Sequence, residues 1–112
     1  MTSNLTVSNL NAIKNIIKAA REMVELKTFP VRIANCFCDA GESVCEARMF
    51  LMDSVTNNDK EAHEFYLVAI ANAKVDLTAV KEFIVADQEM IEAPLAQLLV
   101  AQANYILSLL DK

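Results

Sequence analysis

The sequence contains very few residues that interrupt a helix. Glycine occurs once and proline twice in 112 residues, and tryptophan is absent. Sheet proteins need turns rich in glycine, asparagine and proline every few residues, so this scarcity predicts a small number of long helices. A chain of this length is expected to form one domain, spanning 1–112, around a single continuous core.

Export and membrane signals are also missing. The first eleven residues have neither the basic start nor the apolar run of a signal peptide. No uninterrupted apolar run reaches about 18 residues, so no membrane span is predicted. The three cysteines are an odd number, and without an export signal they indicate free thiols in a reducing compartment. We therefore expect a cytoplasmic protein.

Several catalytic chemistries lack the residues that they require. Phosphate-binding loops and dinucleotide fingerprints need glycines that this chain does not have. Di-iron bundles use two Glu-x-x-His pairs, but His63 is the single histidine. A cysteine nucleophile would need His63 as its base, and no residue pattern indicates how that ring would be oriented. We expect no enzymatic activity and no cofactor.

The cysteine cluster Cys36, Cys38 and Cys45 resembles part of a metal motif. On one continuous helix, however, residues two apart point about 200° away from each other, so Cys36 and Cys38 cannot bind one ion. Cys38 and Cys45 share a face but lie about 10 Å apart along the axis. Together with Met49 and Met52, the thiols are expected to act as small apolar side chains at the edge of the core or of an interface. Any redox role is left open.

Apolar residues, in contrast, are abundant. They make up 54% of the chain, and the mean hydropathy is +0.28. Alanine accounts for part of this excess, because helices accept it anywhere. The remainder exceeds what the interior of a small bundle holds, so we expect apolar surface to contact a partner or a second copy.

Four segments carry apolar residues at alternating spacings of three and four, which is typical of amphipathic helices. Thr6 or Ser8 is expected to cap the first helix, and Asn58 with Glu61 resembles a capping box for the third. Pro94 suits the first position of the fourth. The predicted helices are about 8–27, 31–54, 59–86 and 94–110.

The second helix is predicted to run unbroken through Gly41. Its apolar stripe keeps its phase across the glycine, from Phe37 to Leu51. The alternative is a break at Gly41 and a restart at Ser43, with Ser43-x-x-Glu46 as a capping box. Small residues make a slim patch on this helix that allows close packing of a neighbouring helix or leaves room for a pocket. They are Ala40, Gly41, Val44 and Ala47.

Short connections favour antiparallel neighbours. The sequence therefore predicts an all-α fold, an antiparallel up-down-up-down four-helix bundle. A three-helix bundle with a protruding or swapped C-terminal helix is the alternative. Helix three has a second apolar side and is expected to be the most buried; that side consists of Phe65, Val68, Val75 and Phe83.

The charges are distributed unevenly around a net value of −5. Residues 1–32 contain five basic and two acidic side chains, whereas residues 33–64 contain two basic and seven acidic ones. A basic helix beside an acidic one indicates internal complementarity. The net charge disfavours nucleic acid, and Lys14, Lys18 and Arg21 are too few to predict an anionic ligand or a membrane surface.

Two surfaces are candidates for interaction. The acidic stripe of helix two is either a solvated face or a patch for a basic partner. The fourth helix is uncharged from Leu95 to Leu110, so it either completes the bundle or docks onto another subunit. The candidate interaction residues are Asp39, Glu42, Glu46, Asp53, Leu98, Tyr105 and Leu109.

From the sequence we expect a non-enzymatic protein–protein interaction module that binds another protein, itself, or both. A self-associating adaptor, an assembly factor, or an inhibitor- or immunity-type protein would fit. The alternative is a small-ligand binder with a pocket near the Ala40/Gly41/Val44 face. Partner identity and oligomer number do not follow from the sequence.

Overall fold

The computed structural model describes residues 5–25 and 31–111. Within these ranges the chain forms four α-helices, a short 3₁₀ turn at Gln88–Met90 and no strand. The predicted extension of helix one to Lys27 lies outside the described residues. The helices are α1 (Val7–Glu25), α2 (Val31–Asn57), α3 (Lys60–Ala86) and α4 (Ala93–Leu110).

Consecutive helices pack side by side, and α4 returns to contact α1. In each consecutive pair, the contacts run in opposite order along the two helices, so that a residue further along one helix contacts a residue less far along the other, as an antiparallel arrangement requires. The fold is therefore the predicted all-α, up-down-up-down four-helix bundle. Side-chain contacts that show this direction include Arg21–Cys38 with Arg48–Asn11, Arg32–Asp87 with Phe50–Phe65, and Lys74–Asp111 with Lys81–Asn104.

A reciprocal pair of hydrogen bonds fixes the start of α1. The N–H of Asn9 donates to Thr6 Oγ1 at 3.0 Å, and the N–H of Thr6 donates to Asn9 Oδ1 at 3.1 Å. This is the geometry of a capping box, with asparagine in the place of glutamate. Of the two predicted caps, Thr6 is the one used.

The turn between α2 and α3 differs from its predicted form. α2 continues to Asn57, and Asn58 adopts a left-handed conformation with φ 51°. Asparagine tolerates this region better than most residues and often ends a helix there. Asp59 caps α3 instead, accepting from the N–H groups of Glu61 at 3.0 Å and Ala62 at 3.2 Å. The prediction of Asn58 as the cap of α3 is therefore wrong by one residue.

α2 is unbroken at Gly41, as its apolar phase predicted. A Cβ built on Gly41 would lie 3.5 Å from Ile17 Cγ2, an ordinary van der Waals distance. The small residues Ala40, Val44 and Ala47 lie on a fully buried face of α2. Gly41 lies at the half-buried edge of that face.

The core is formed by one stripe from each helix, and its largest fully buried side chains are Tyr66 and Phe37. The second apolar side of α3 is not buried: Phe65, Val68 and Val75 are 46%, 57% and 65% exposed. α3 packs on α2 and α4, and this side lies at the edge of the contact with α2, where the Phe65 ring is 5.3 Å from that of Phe50. Phe83 on this side is half-buried. α3 is nevertheless the most buried of the four helices, as expected, because eight of its 27 residues are buried, a larger share than in α1, α2 or α4.

Arg32 connects the start of α2 to the end of α3. Its guanidinium donates to both carboxylate oxygens of Asp87, at 2.9 and 2.6 Å, and lies 4.4 Å from the centre of the Phe83 ring. The hydrogen bond to Asp87 raises the pKa of the Arg32 guanidinium. After the 3₁₀ turn, α4 begins at Ala93, with Pro94 in its first turn as predicted.

Replacing Gly41 tests whether α2 is a regular helix at this position. Gly41→Ala removes backbone freedom from the unfolded chain without a clash, so we expect the free energy of unfolding to rise by about 0.5–1 kcal/mol. Urea denaturation monitored by circular dichroism measures this change. As the matched reverse, Ala71→Gly on the exposed side of α3 should destabilise by a similar amount. A lower stability of Gly41→Ala would contradict the unbroken helix.

Candidate functional site

The predicted acidic stripe lies on the solvent side of α2. Asp39, Glu42, Glu46 and Asp53 are all exposed, and none forms an ion pair with another described residue. The predicted complementarity of α1 and α2 is therefore limited to proximity, since Glu42 lines a groove with basic residues of α1 but no ion pair joins the stripe to them among the described residues. The described ion pairs are Arg21–Glu25, Arg32–Asp87 and Lys74–Asp111.

The three cysteines are free thiols in different surroundings. Cys36 is buried between α2 and α3, where burial, followed by the charges of Asp76 and Asp39, raises the pKa of its thiol above 9.0. Cys38 and Cys45 are half-buried on the α1 side of α2. Across residues 5–25 and 31–111, no group of three histidine, cysteine or acidic side chains is placed to hold a metal ion.

Asp76 is a partly buried carboxyl that the sequence reasoning missed. Burial raises its pKa above the ordinary 3.8, and the nearby charge of Asp39 raises it further. Periodicity places Asp76 on the flank of α3 but does not show which helix packs there. Asp39 was predicted as a surface residue, and its negative charge also raises the pKa of two groups between α2 and α3, the Asp76 carboxyl and the Cys36 thiol.

A groove of about 310 Å³ opens between α1 and α2, which we name the basic groove. The buried Ile17 and Phe37 form its floor, and one guanidinium N–H of Arg21 donates to Cys38 Sγ at 3.9 Å. This hydrogen bond raises the pKa of Arg21. Of the four small residues predicted as a pocket face, Gly41 lines this groove. The remaining lining residues are Lys14, Lys18, Glu42 and Cys45.

A second groove, of about 530 Å³, lies between α1 and α4, and we name it the apolar groove. It exists because α1 and α4 contact each other less than any consecutive pair of helices does. The predicted residues Tyr105 and Leu109 form its α4 side. Its α1 side was not among the predicted interaction residues. The α1 side consists of Leu5, Asn9, Ala12, Ile13 and Ile16.

α4 is the least charged helix and is only partly covered. It contains no charged side chain from Ala93 to Leu110, yet only 22% of its residues are buried. Leu98 and Tyr105 are 45% and 56% exposed. With a mean hydropathy of 1.4 over 18 residues, α4 is long and apolar enough to cross a membrane. The absence of a membrane span therefore stays a prediction.

Comparisons of the chain with protein-family models, with curated proteins and with solved structures find no match. What can be inferred about function therefore rests on the two grooves and on the exposed, uncharged side of α4.

The carboxyl of Asp76 gives a test of the α2–α3 seam. The pKa of Asp76 is raised in the folded state above its ordinary value of 3.8. Its contribution to the free energy of unfolding is therefore complete below pH 3.8 and is lost as the pH rises through the folded-state pKa. We expect Asp76→Asn to raise the urea midpoint at neutral pH relative to the wild type, with a smaller gain at acidic pH. Asp53→Asn, on the solvent face, is the control and should change little at either pH. A gain that does not depend on pH would contradict this account.

Proposed function

We propose that the protein is a self-associating protein–protein interaction module, in which the apolar groove and α4 of one copy are covered by the same face of a second copy. The observation that carries this proposal is the character of α4. It is 18 residues long and carries no charged side chain, although most of its residues are not buried within its own bundle.

Solvent-facing helix surfaces usually contain many charged residues, about 25–35% of the surface. Charged groups are costly to desolvate, and the cores of interfaces are accordingly depleted in them. α4 can be covered without this cost, because its exposed residues are apolar, small or uncharged polar ones. Leu98 and Tyr105 are the largest apolar side chains that it exposes, and an aromatic residue is a favoured interface anchor.

A second copy is the occupant that charge favours. In a two-fold interface each surface patch faces itself, so like charges are brought together. With a net charge of −5 and an acidic stripe on α2, most pairings of two copies would be repulsive. The apolar groove is different because its seven lining residues are all uncharged. This face can therefore pair with itself without electrostatic cost.

The test is sedimentation velocity over a series of protein concentrations. The wild type should approach twice the monomer mass of 12.4 kDa, whereas Leu98→Glu/Tyr105→Glu should remain monomeric because it places four acidic groups in one interface. Both positions are exposed in the monomer, so the helical circular dichroism should be unchanged. The matched control is Val68→Glu/Val75→Glu on the exposed side of α3, which should still associate.

Two outcomes would contradict the proposal. One is a wild type that remains monomeric at every concentration, and the other is dissociation by the α3 control but not by the α4 pair. Flotation with neutral lipid vesicles is measured in parallel, because the hydropathy of α4 also suits a lipid environment. Uptake of the wild type by vesicles, without self-association in solution, would identify lipid as the occupant and overturn the proposal.

A further inference from the structure

The basic groove lies between α1 and α2, outside the surface proposed for self-association, and several of its side chains are charged. Three cationic side chains, Lys14, Lys18 and Arg21, line it, against the single carboxylate of Glu42. A local excess of positive charge is unexpected in a chain with a net charge of −5. Its volume of about 310 Å³ lies at the lower end of the range of small-molecule sites, about 300–1,000 Å³.

The cations of this groove are not neutralised by the protein. Lys14 and Lys18 form no ion pair with any residue in 5–25 or 31–111, and Arg21 has a single loose pair with Glu25 at 3.7 Å. The Nε atom of Arg21 is shielded from solvent and has no hydrogen-bond acceptor within the described part of the chain. Lys14 and Lys18 can therefore bind an anion without first breaking an internal ion pair.

Two thiols, those of Cys38 and Cys45, line the same groove. The Arg21 guanidinium lies 3.9 Å from Cys38 Sγ, so positive charge is held beside this sulfur. Reactive cysteines are typically half-exposed in electropositive surroundings, as Cys38 is. The Cys36 thiol differs in both respects, because it is buried and lies on the opposite side of α2, near the carboxylates of Asp76 and Asp39.

We infer that the basic groove binds small anionic disulfides and that Cys38 is the residue that exchanges with them. The ligand class is a low-molecular-weight disulfide that carries carboxylates, one of which is held by Lys14 and Lys18. Cys38 loses its proton to solvent, and its sulfur attacks one sulfur of the disulfide. A new S–S bond forms, the original S–S bond breaks, and the second half leaves as a thiolate with the electron pair. The Arg21 guanidinium stabilises the negative charge that is spread over the reacting sulfurs.

The experiment compares two reagents on the reduced protein. Dithiobis-nitrobenzoate carries a carboxylate on each ring, whereas dithiodipyridine is neutral, and both report exchange by absorbance. The ratio of their rates isolates the contribution of charge, because any change in the thiol itself affects both reagents. At low ionic strength, Lys14→Gln/Lys18→Gln should lower this ratio about tenfold. Lys60→Gln/Lys81→Gln removes the same charge elsewhere and should change the ratio less than about twofold.

Ionic strength and single cysteine replacements complete the test. The wild-type ratio should fall with added salt, since the screening length shrinks from about 30 Å at 0.01 M to about 3 Å at 1 M. In the wild type we expect one fast phase of exchange, whose rate depends on the charge of the reagent. Cys38→Ser should remove this phase, whereas Cys45→Ser should retain it. The inference is overturned if the groove lysines leave the ratio unchanged, or if the fast phase survives in Cys38→Ser. Circular dichroism of each variant confirms that the bundle is folded.

Discussion

Helices α2 and α3 pack against each other along their length, and the positions of α1 and α4 follow from that pair. The two helices have 27 residues each and are joined by a two-residue turn. The Arg32–Asp87 ion pair lies near one end of the pair, and the Phe50 and Phe65 rings, 5.3 Å apart, lie near the other. α1 docks mainly on α2, and α4 docks mainly on α3. The first and last helices therefore meet only sparsely, and the seam between them stays open as the apolar groove.

The two flanks of α1 are chemically distinct as a result. The flank toward α2 carries Lys14, Lys18 and Arg21 beside two thiols, whereas the flank toward α4 is uncharged. Each flank forms one wall of a groove, and each groove suits a different occupant: a small anion in one and an apolar protein surface in the other. The acidic stripe of α2 is exposed to solvent, and one of its residues, Glu42, also lines the basic groove. It gives the molecule its net negative charge and disfavours self-association through that face.

Much of the fold could be predicted because it depends on local periodicity. The phase of Phe37, Ala40 and Val44 predicted an unbroken α2, which the structure has. The turn was harder, because two adjacent polar residues could each cap α3. Asn58 ends α2 by adopting a positive φ, so Asp59 is left to make the cap. Such a competition is decided by backbone angles that residue types alone do not fix.

The site was predictable only in part. Tyr105 and Leu109 followed from the excess apolar content of α4, but their partners on α1 depend on how far apart two helices lie that are distant in sequence. The basic groove has the same origin, since Arg21 and Cys38 are 17 residues apart. Helical periodicity indicates on which side of its own helix each of these two residues lies. It does not show that these two sides face each other.

The central claim, that a second copy covers α4, is tested most directly by amide hydrogen exchange at low and high protein concentration. α4 is held in the bundle mainly by one buried stripe, Leu99, Ala103, Ile106 and Leu110, so its amides should exchange faster than those of α2 and α3 when the protein is dilute. The account predicts that protection of α4 and of the α1 side of the apolar groove increases with concentration, while the exposed side of α3 does not change. Exchange in α4 that is the same at every concentration would contradict it.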